Sequence, residues 1–213
     1  MEKYLKLRNA MRSRLQGAAA VDRRYLVALE AFNFSEELFE GKFRKDGTTP
    51  VFMHPLEIAG YLFTVHGTLR HPAESIAVAM VHDAVEDCGV SVEQVRDLFG
   101  PLVAHGTMRM SKEINGVSVG TLEHYFRSML DCPVATVVKG SDRINNQSTM
   151  VGVFTPKKQM EYVRECEEHI LPMLKSARRK FPDQEPAYEN MKLVLTTQIA
   201  MVRAIHAGKQ ENA

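Results

Sequence analysis

Apolar residues recur at helical spacing along nearly the whole chain, and convincing two-residue alternation is absent. The pattern predicts an amphipathic helix within 21–40, where Tyr25, Leu26, Leu29, Phe32 and Phe34 fall near one side. Gly41 and Gly47 then bracket a polar, basic loop, GKFRKDGTTP. A helix is expected through 56–65, after His54-Pro55 and ending at His66-Gly67. Segment 73–88 is apolar on most sides until its polar end, the signature of a central core helix. Ser91 and Gln94 form a capping-box pattern for a short helix that ends at Phe99-Gly100. Residues 110–120, MSKEINGVSVG, read as the longest polar loop. Further helices fit 121–131, 133–148, 157–180 and 187–207, with Pro172 set to kink or split the third of these. The expectation is an all-α fold without repeats or linkers.

Length and composition narrow the class. The chain has 213 residues, enough for one domain with a real core and at most an extension. With 45% hydrophobic and 25% charged residues, disorder as the main state is excluded. Lys plus Arg total 27 and Asp plus Glu total 26, so the summed charge argues neither for nor against a nucleic-acid partner. The first 24 residues do hold seven basic and two acidic side chains, read as a solvated helix face rather than a nucleic-acid patch. Cys88, Cys132 and Cys166 form no zinc spacing and fit a reducing compartment. No apolar run approaches the roughly 20 residues that span a bilayer. MEKYLKLRNAMRSRLQ lacks the apolar core of a signal peptide, so a cytoplasmic protein without membrane contact is expected.

Chemistry concentrates at Val81-His82-Asp83-Ala84-Val85-Glu86-Asp87, where four ionisable side chains end an apolar helix. Buried charge there is costly unless it is paired or bound to metal. His82 and Glu86 stand at i and i+4 and are expected to share a helix face, with Asp83 at i+3 and i+4 spacing to Glu86 and Asp87. The bland alternative is a helix that simply ends in polar residues. Two other places add weight. His54 precedes Pro55 at a helix start, and Asp142-Arg143 follows the apolar run 134–138. His54, His82, Asp83 and Asp142 together offer two imidazoles and two carboxylates. That mixture suits manganese, iron or zinc better than magnesium. The remaining histidines, the thiols and the twelve Met residues read as packing or surface groups.

These stretches occur in a recognisable order: Arg44-Lys45-Asp46-Gly47 leading to His54-Pro55, then His82-Asp83 with Glu86-Asp87, Phe99-Gly100, Ser111-Lys112, and Lys139 through Asn146. The set resembles the HD-type hydrolase domain of the RelA/SpoT alarmone enzymes, in the stand-alone small alarmone hydrolase form. The resemblance, which covers roughly 26–165, implies an HD-domain helical bundle, assigned to 25–165; outside it, a basic helix at 1–24 and C-terminal helices at 166–213 packed on the same domain are expected. The resemblance implies His54, His82, Asp83 and Asp142 as ligands to Mn2+ or another divalent transition metal. Glu86 and Asp87 match an acidic pair that orients or activates water. Arg44, Lys45, Lys112, Asn146, Lys158 and Tyr162 match residues around a nucleotide, the last two only with a shortened loop before them. The implied reaction removes the 3′-pyrophosphate from guanosine tetra- or pentaphosphate to give GDP or GTP and pyrophosphate.

The chain also departs from the family pattern. Thr48-Thr49-Pro50 lengthens the basic loop by one residue, Phe39 replaces a histidine, and Gly140-Ser141 replaces hydrophobic residues. Asn145 stands where His or Tyr is usual. These positions are expected to touch the pocket lining, which leaves open an HD phosphohydrolase acting on a nicotinamide dinucleotide phosphate or a deoxynucleotide. A catalytically silent nucleotide-binding module is a third reading, disfavoured by the presence of all six metal and acidic positions. The 213 residues are expected to hold no synthetase half, hence hydrolysis alone. The helix near 187–207 could pack on the domain or form a homo-oligomer interface, and the sequence does not choose.

Overall fold

The structure, a computed structural model, describes residues 1–210. Its helices are α1 (Glu2–Val21), α2 (Leu26–Leu38), α3 (Met53–Val65), α4 (Pro72–Val81), α5 (Ala84–Asp87), α6 (Val92–Phe99), α7 (Pro101–Met110), α8 (Leu122–Ser128), α9 (Pro133–Thr149), α10 (Pro156–Glu165), α11 (Leu171–Lys180) and α12 (Glu185–Gln210). Helix α4 is the centre, as its all-round apolar sequence predicts: Ser75 to Val81 are completely covered. It packs against α2, α3, α7 and α9. Small residues make this possible. Gly106 of α7 lies so close that a Cβ would meet Val78 Cγ2 at 2.7 Å and Val134 Cγ1 at 3.3 Å. Phe32, Phe52, Leu56, Ile58, Leu62 and Met80 fill the same core. Helices α11 and α12 pack on α9, and α1 packs on α2 and α3. Among the described residues, no helix is long and apolar enough to cross a membrane.

Three expectations need correction. The helix predicted over 73–88 is two helices broken at His82-Asp83. Asp83 takes φ −91°, ψ −2°, the bridge region between helix and strand. The last carbonyls of α4 are satisfied by side chains instead of by further turns: Ser35 Oγ donates to Met80 O at 2.8 Å, and His82 Nδ1 lies 2.9 Å from Ala79 O. The shared helix face of His82 and Glu86 therefore does not exist. The polar loop at 110–120 contains a small antiparallel hairpin, β1 (Glu113–Ile114) with β2 (Val117–Ser118). Its turn is Asn115-Gly116, both at positive φ, so among the described residues the fold is helical with one minimal hairpin. Residues 101–110, given no separate element from the sequence, form α7.

Other local signals hold. Ser91 and Gln94 make a complete capping box on α6. The 157–180 segment divides at a π-helical turn, Cys166–Ile170, just before Pro172. The basic N-terminal residues are mostly partnered: Lys3 with Glu57, Lys6 with Glu2, Arg8 and Arg12 with Glu36, and Arg24 with Asp22. The Arg14 guanidinium lies over the Phe63 ring, 5.2 Å from its centroid.

The contact at Gly106 gives a test. Gly→Ala inside a helix ordinarily adds about 1 kcal/mol of stability. Here overpacking against stiff Val78 opposes it by about 1–3 kcal/mol. Gly106→Ala should lower the urea midpoint, and a raised midpoint would contradict the packing described.

Candidate functional site

Three elements bring the polar cluster together. His54 lies in the first turn of α3, His82 follows the last residue of α4, and Asp142 sits within α9. All three are buried, and one ligating atom from each lies within 4.8 Å of the others. His54 Nε2 is 3.2 Å from Asp142 Oδ1. His82 Nε2 is 3.1 Å from Oδ1 of Asp83. Asp83 is thus beside the trio, with its side chain 39% exposed toward a cavity.

The hydrogen-bond partners decide what the imidazoles can do. His82 Nδ1 faces the Ala79 carbonyl, which only accepts, so Nδ1 carries the hydrogen. Its Nε2 lone pair then faces a carboxylate oxygen. Two acceptors at this distance repel unless a cation lies with them. In the metal-free protein that cation is a proton. Burial alone would pull the His82 pKa down, but the Asp83 carboxylate outweighs it and raises the value to about 9. Asp142 would likewise be pushed up by burial, yet Lys139 and then His54 hold it well below the usual carboxylate range. Lys139 Nζ donates to Asp142 Oδ2 at 3.0 Å, and Asn146 Nδ2 donates to Oδ1 at 2.6 Å. Two buried imidazoles and an oriented carboxylate fit a divalent ion of the transition series.

A cavity of roughly 690 Å³ opens beside the trio, a volume suited to a small-molecule ligand. His54, Asp83, Asp87, Asp142, Asn146, Arg44, Lys45 and Tyr162 all line it. The basic loop is held shut on itself: Arg44 N–H donates to Thr49 O, and Phe43 bridges to Pro50. The backbone N–H groups of Thr48 and Thr49 and the Thr49 hydroxyl all donate to Asp46. The Thr49 hydroxyl is the chief reason the Asp46 pKa falls to about 2. Opposite this loop, Phe154 and Tyr162 make an aromatic wall, with Lys45 Nζ 5.4 Å from the Phe154 ring centre. Asp87 has its pKa raised, first by burial and then by Asp83 and Glu86.

Other expected site residues lie outside the cavity lining. Glu86 Oε2 accepts from the Lys112 backbone N–H at 2.7 Å, tying the hairpin to α5. The Lys112 ammonium lies 5.6 Å from the Tyr125 ring centre. Burial, then neighbouring Lys139, lowers its pKa. Lys158 pairs with Glu161 at 2.9 Å and stands 5.6 Å from the Tyr162 ring centre. Gly140 faces Met191 and Leu174, and Ser141 Oγ donates to Val137 O, so neither reaches the pocket as expected. Phe39 belongs to the core, and Asn145 stands behind His54 rather than in the lining. Sequence reasoning missed Phe154, Glu57, Lys3 and Tyr4, which line the cavity, and Lys139, which backs Asp142. Lys139 carried a signal: a lysine inside an apolar run, three residues before Asp142, needs a buried partner.

Comparison with known proteins places the chain in a family and matches its fold. The family described as HD domain matches residues 31–168. A GTP pyrophosphokinase of Myxococcus xanthus is 30% identical over 157 residues, covering 69% of this chain and 20% of its own. A guanosine-3′,5′-bis(diphosphate) 3′-pyrophosphohydrolase of Aquifex aeolicus is 29% identical over 154 residues, covering 67% of this chain and 20% of its own. The chain thus spans about a fifth of the length of these relatives. A solved structure described as a metazoan ortholog of SpoT that hydrolyzes ppGpp superposes with a TM-score of 0.57 at 18% identity. That likeness covers 78% of this chain and 93% of the other, and it shows the fold.

The imidazole locking has a pH consequence. The folded His82 pKa of about 9 exceeds the ordinary 6.5, so the folded state binds more protons between those values. Its contribution is complete below pH 6.5 and is lost as the pH rises through 9. Chelator-treated protein should lose up to about 3 kcal/mol of unfolding free energy across this window, by the usual conversion of a pKa shift. Urea titrations should show the fall in the natural chain and not in His82→Gln. A flat or rising profile in the natural chain would contradict the arrangement.

Proposed function

Since the chain belongs to the HD domain family, we propose that it is a metal-dependent hydrolase that removes the 3′-pyrophosphate from guanosine tetra- or pentaphosphate. The observation that carries this reading is the buried His54, His82, Asp142 trio opening on a cavity with cations at its rim. His54, His82 and Asp142, with Asp83 as the partly exposed fourth group, would hold the ion, and manganese is the ion we assign. A divalent ion in such a site supplies Lewis-acid chemistry, acidifying water and drawing charge from phosphoryl oxygens.

The chain's own groups supply the rest. Asp87 lines the cavity with a raised pKa, which suits a group that takes and returns a proton. Glu86 acts from one step back, since it is bonded to the Lys112 backbone. Arg44 and Lys45 project from a stapled loop and would offset the charge of a polyphosphate without first having to become ordered. Tyr162 and Phe154 offer flat apolar faces for a purine. Asn146 reaches both the cavity and Asp142, and so couples ligand position to the trio. Lys112 and Lys158 would need to swing from Tyr125 and Glu161 to meet phosphate. The three free cysteines fit a reducing cytoplasm.

The threonines favour testing a second class of nucleotide beside the first, because Thr48 and Thr49 line the cavity. Purified chain should be incubated with manganese, then with chelator, against guanosine tetraphosphate, a nicotinamide dinucleotide phosphate and deoxynucleoside triphosphates. Anion exchange should resolve GDP and pyrophosphate from the tetraphosphate, with none after chelation. Turnover of another panel member alone would retain the metal chemistry and refute the alarmone. No turnover of any member by metal-loaded protein would refute the hydrolase reading and leave a binding module.

A further inference from the structure

Beside the trio, a polar chain runs from His54 to the surface helix α1. His54 Nδ1 is 2.6 Å from Asn145 Oδ1. Asn145 Nδ2 donates to Glu57 Oε2 at 2.8 Å. The other Glu57 oxygen lies 3.6 Å from Lys3 Nζ. The chemistry of each group fixes the direction of these bonds. An ionised carboxylate only accepts, so the amide NH2 of Asn145 must face Glu57. Its carbonyl oxygen then faces His54, and that oxygen also only accepts. His54 Nδ1 must therefore carry the hydrogen, which leaves the Nε2 lone pair aimed at the trio. The reverse amide orientation would set an oxygen against the Glu57 carboxylate and an NH2 against the imidazole.

We propose that Asn145 is a positioning residue of the metal centre, holding the ring plane and tautomer of His54, with Glu57 and Lys3 holding Asn145 in turn. This rests on the metal reading above and adds to it a set of groups that act on the ligands rather than on the ion. The two imidazoles are locked by different means. His82 leans on the Ala79 backbone carbonyl, which no side-chain substitution removes. His54 leans on a side chain, and so its geometry is open to change at a single position. Adjacent residues of α9 have separate roles, with Asn146 orienting Asp142 and Asn145 orienting His54. The link to Lys3 also gives α1 a tie to the centre besides its packing on α2 and α3.

The test measures manganese binding to the full chain by the electron paramagnetic resonance of free ion, without any substrate. Asn145→Leu removes the acceptor at similar volume and should weaken manganese binding about ten- to a hundredfold, the usual effect of losing a partner of a ligating histidine. Asn145→Asp combined with Glu57→Gln keeps an acceptor on His54 and reverses the second hydrogen bond. That pair should recover the natural affinity, which a general loss of packing would not. The thermal midpoint of each metal-free variant separates unfolding from weakened binding. Natural affinity in a folded Asn145→Leu chain would overturn the proposal, as would failure of the folded double variant to improve on it. No manganese binding by the natural chain would instead overturn the metal reading itself, and this inference with it.

Discussion

Two buried imidazoles cannot keep their Nε2 lone pairs against aspartate carboxylate oxygens without a cation, and the site is organised around that condition. His82 has its Nδ1 hydrogen committed to Ala79 O, and His54 has its own committed to Asn145. Their Nε2 atoms stand 3.1 and 3.2 Å from aspartate oxygens. A proton on His82 meets this demand at that imidazole alone. A divalent ion satisfies it for the whole trio, because one charge centre meets every lone pair. Isolated in an apolar core, the same groups would be costly to bury. Lys139 fits this picture: it neutralises Asp142 by way of the carboxylate oxygen that His54 does not face.

The helices meet the condition through ordinary packing. Helix α4 is fully covered from Ser75 to Val81, so its end cannot drift, and the break after Val81 delivers His82 to a fixed place. Helices α3 and α9 pack on α4 and bring His54 and Asp142 to the same point. Gly106 lets α7 approach closely behind it. Rigid elements thus carry the ligating atoms, while a stapled loop and the turn before α10 carry cations and an aromatic face of the cavity. Precision lies where a bound ion would need it, and variation in the loop can alter the ligand without disturbing the trio.

Much of this is legible in residue patterns, and the exceptions share a cause. The apolar run of 73–81 announces a core helix, and polar residues ending apolar runs mark His82 and Asp142. Pro172 marks the division of the 157–180 segment, and Ser91 with Gln94 marks a helix start. What local pattern cannot show are choices made by tertiary contacts. The break at His82-Asp83 is completed by Ser35, which is distant in sequence. Glu86 is turned aside by the backbone of Lys112, and Gly140 is turned toward α11 and α12. Asn145 is visible in the sequence only as a departure from a familiar motif, and its role emerges from Glu57 on a different helix. The Asn-Gly pair at 115–116 is a readable hairpin signal that the polarity of its surroundings obscures.

Enclosure of one divalent cation by His54, His82 and Asp142 is tested most directly by anomalous diffraction at the manganese edge, from crystals of the metal-loaded chain. A single strong peak is expected within bonding distance of His54 Nε2, His82 Nε2 and an Asp142 carboxylate oxygen. A loaded crystal with no peak there, or with its manganese bound elsewhere, would contradict the assignment.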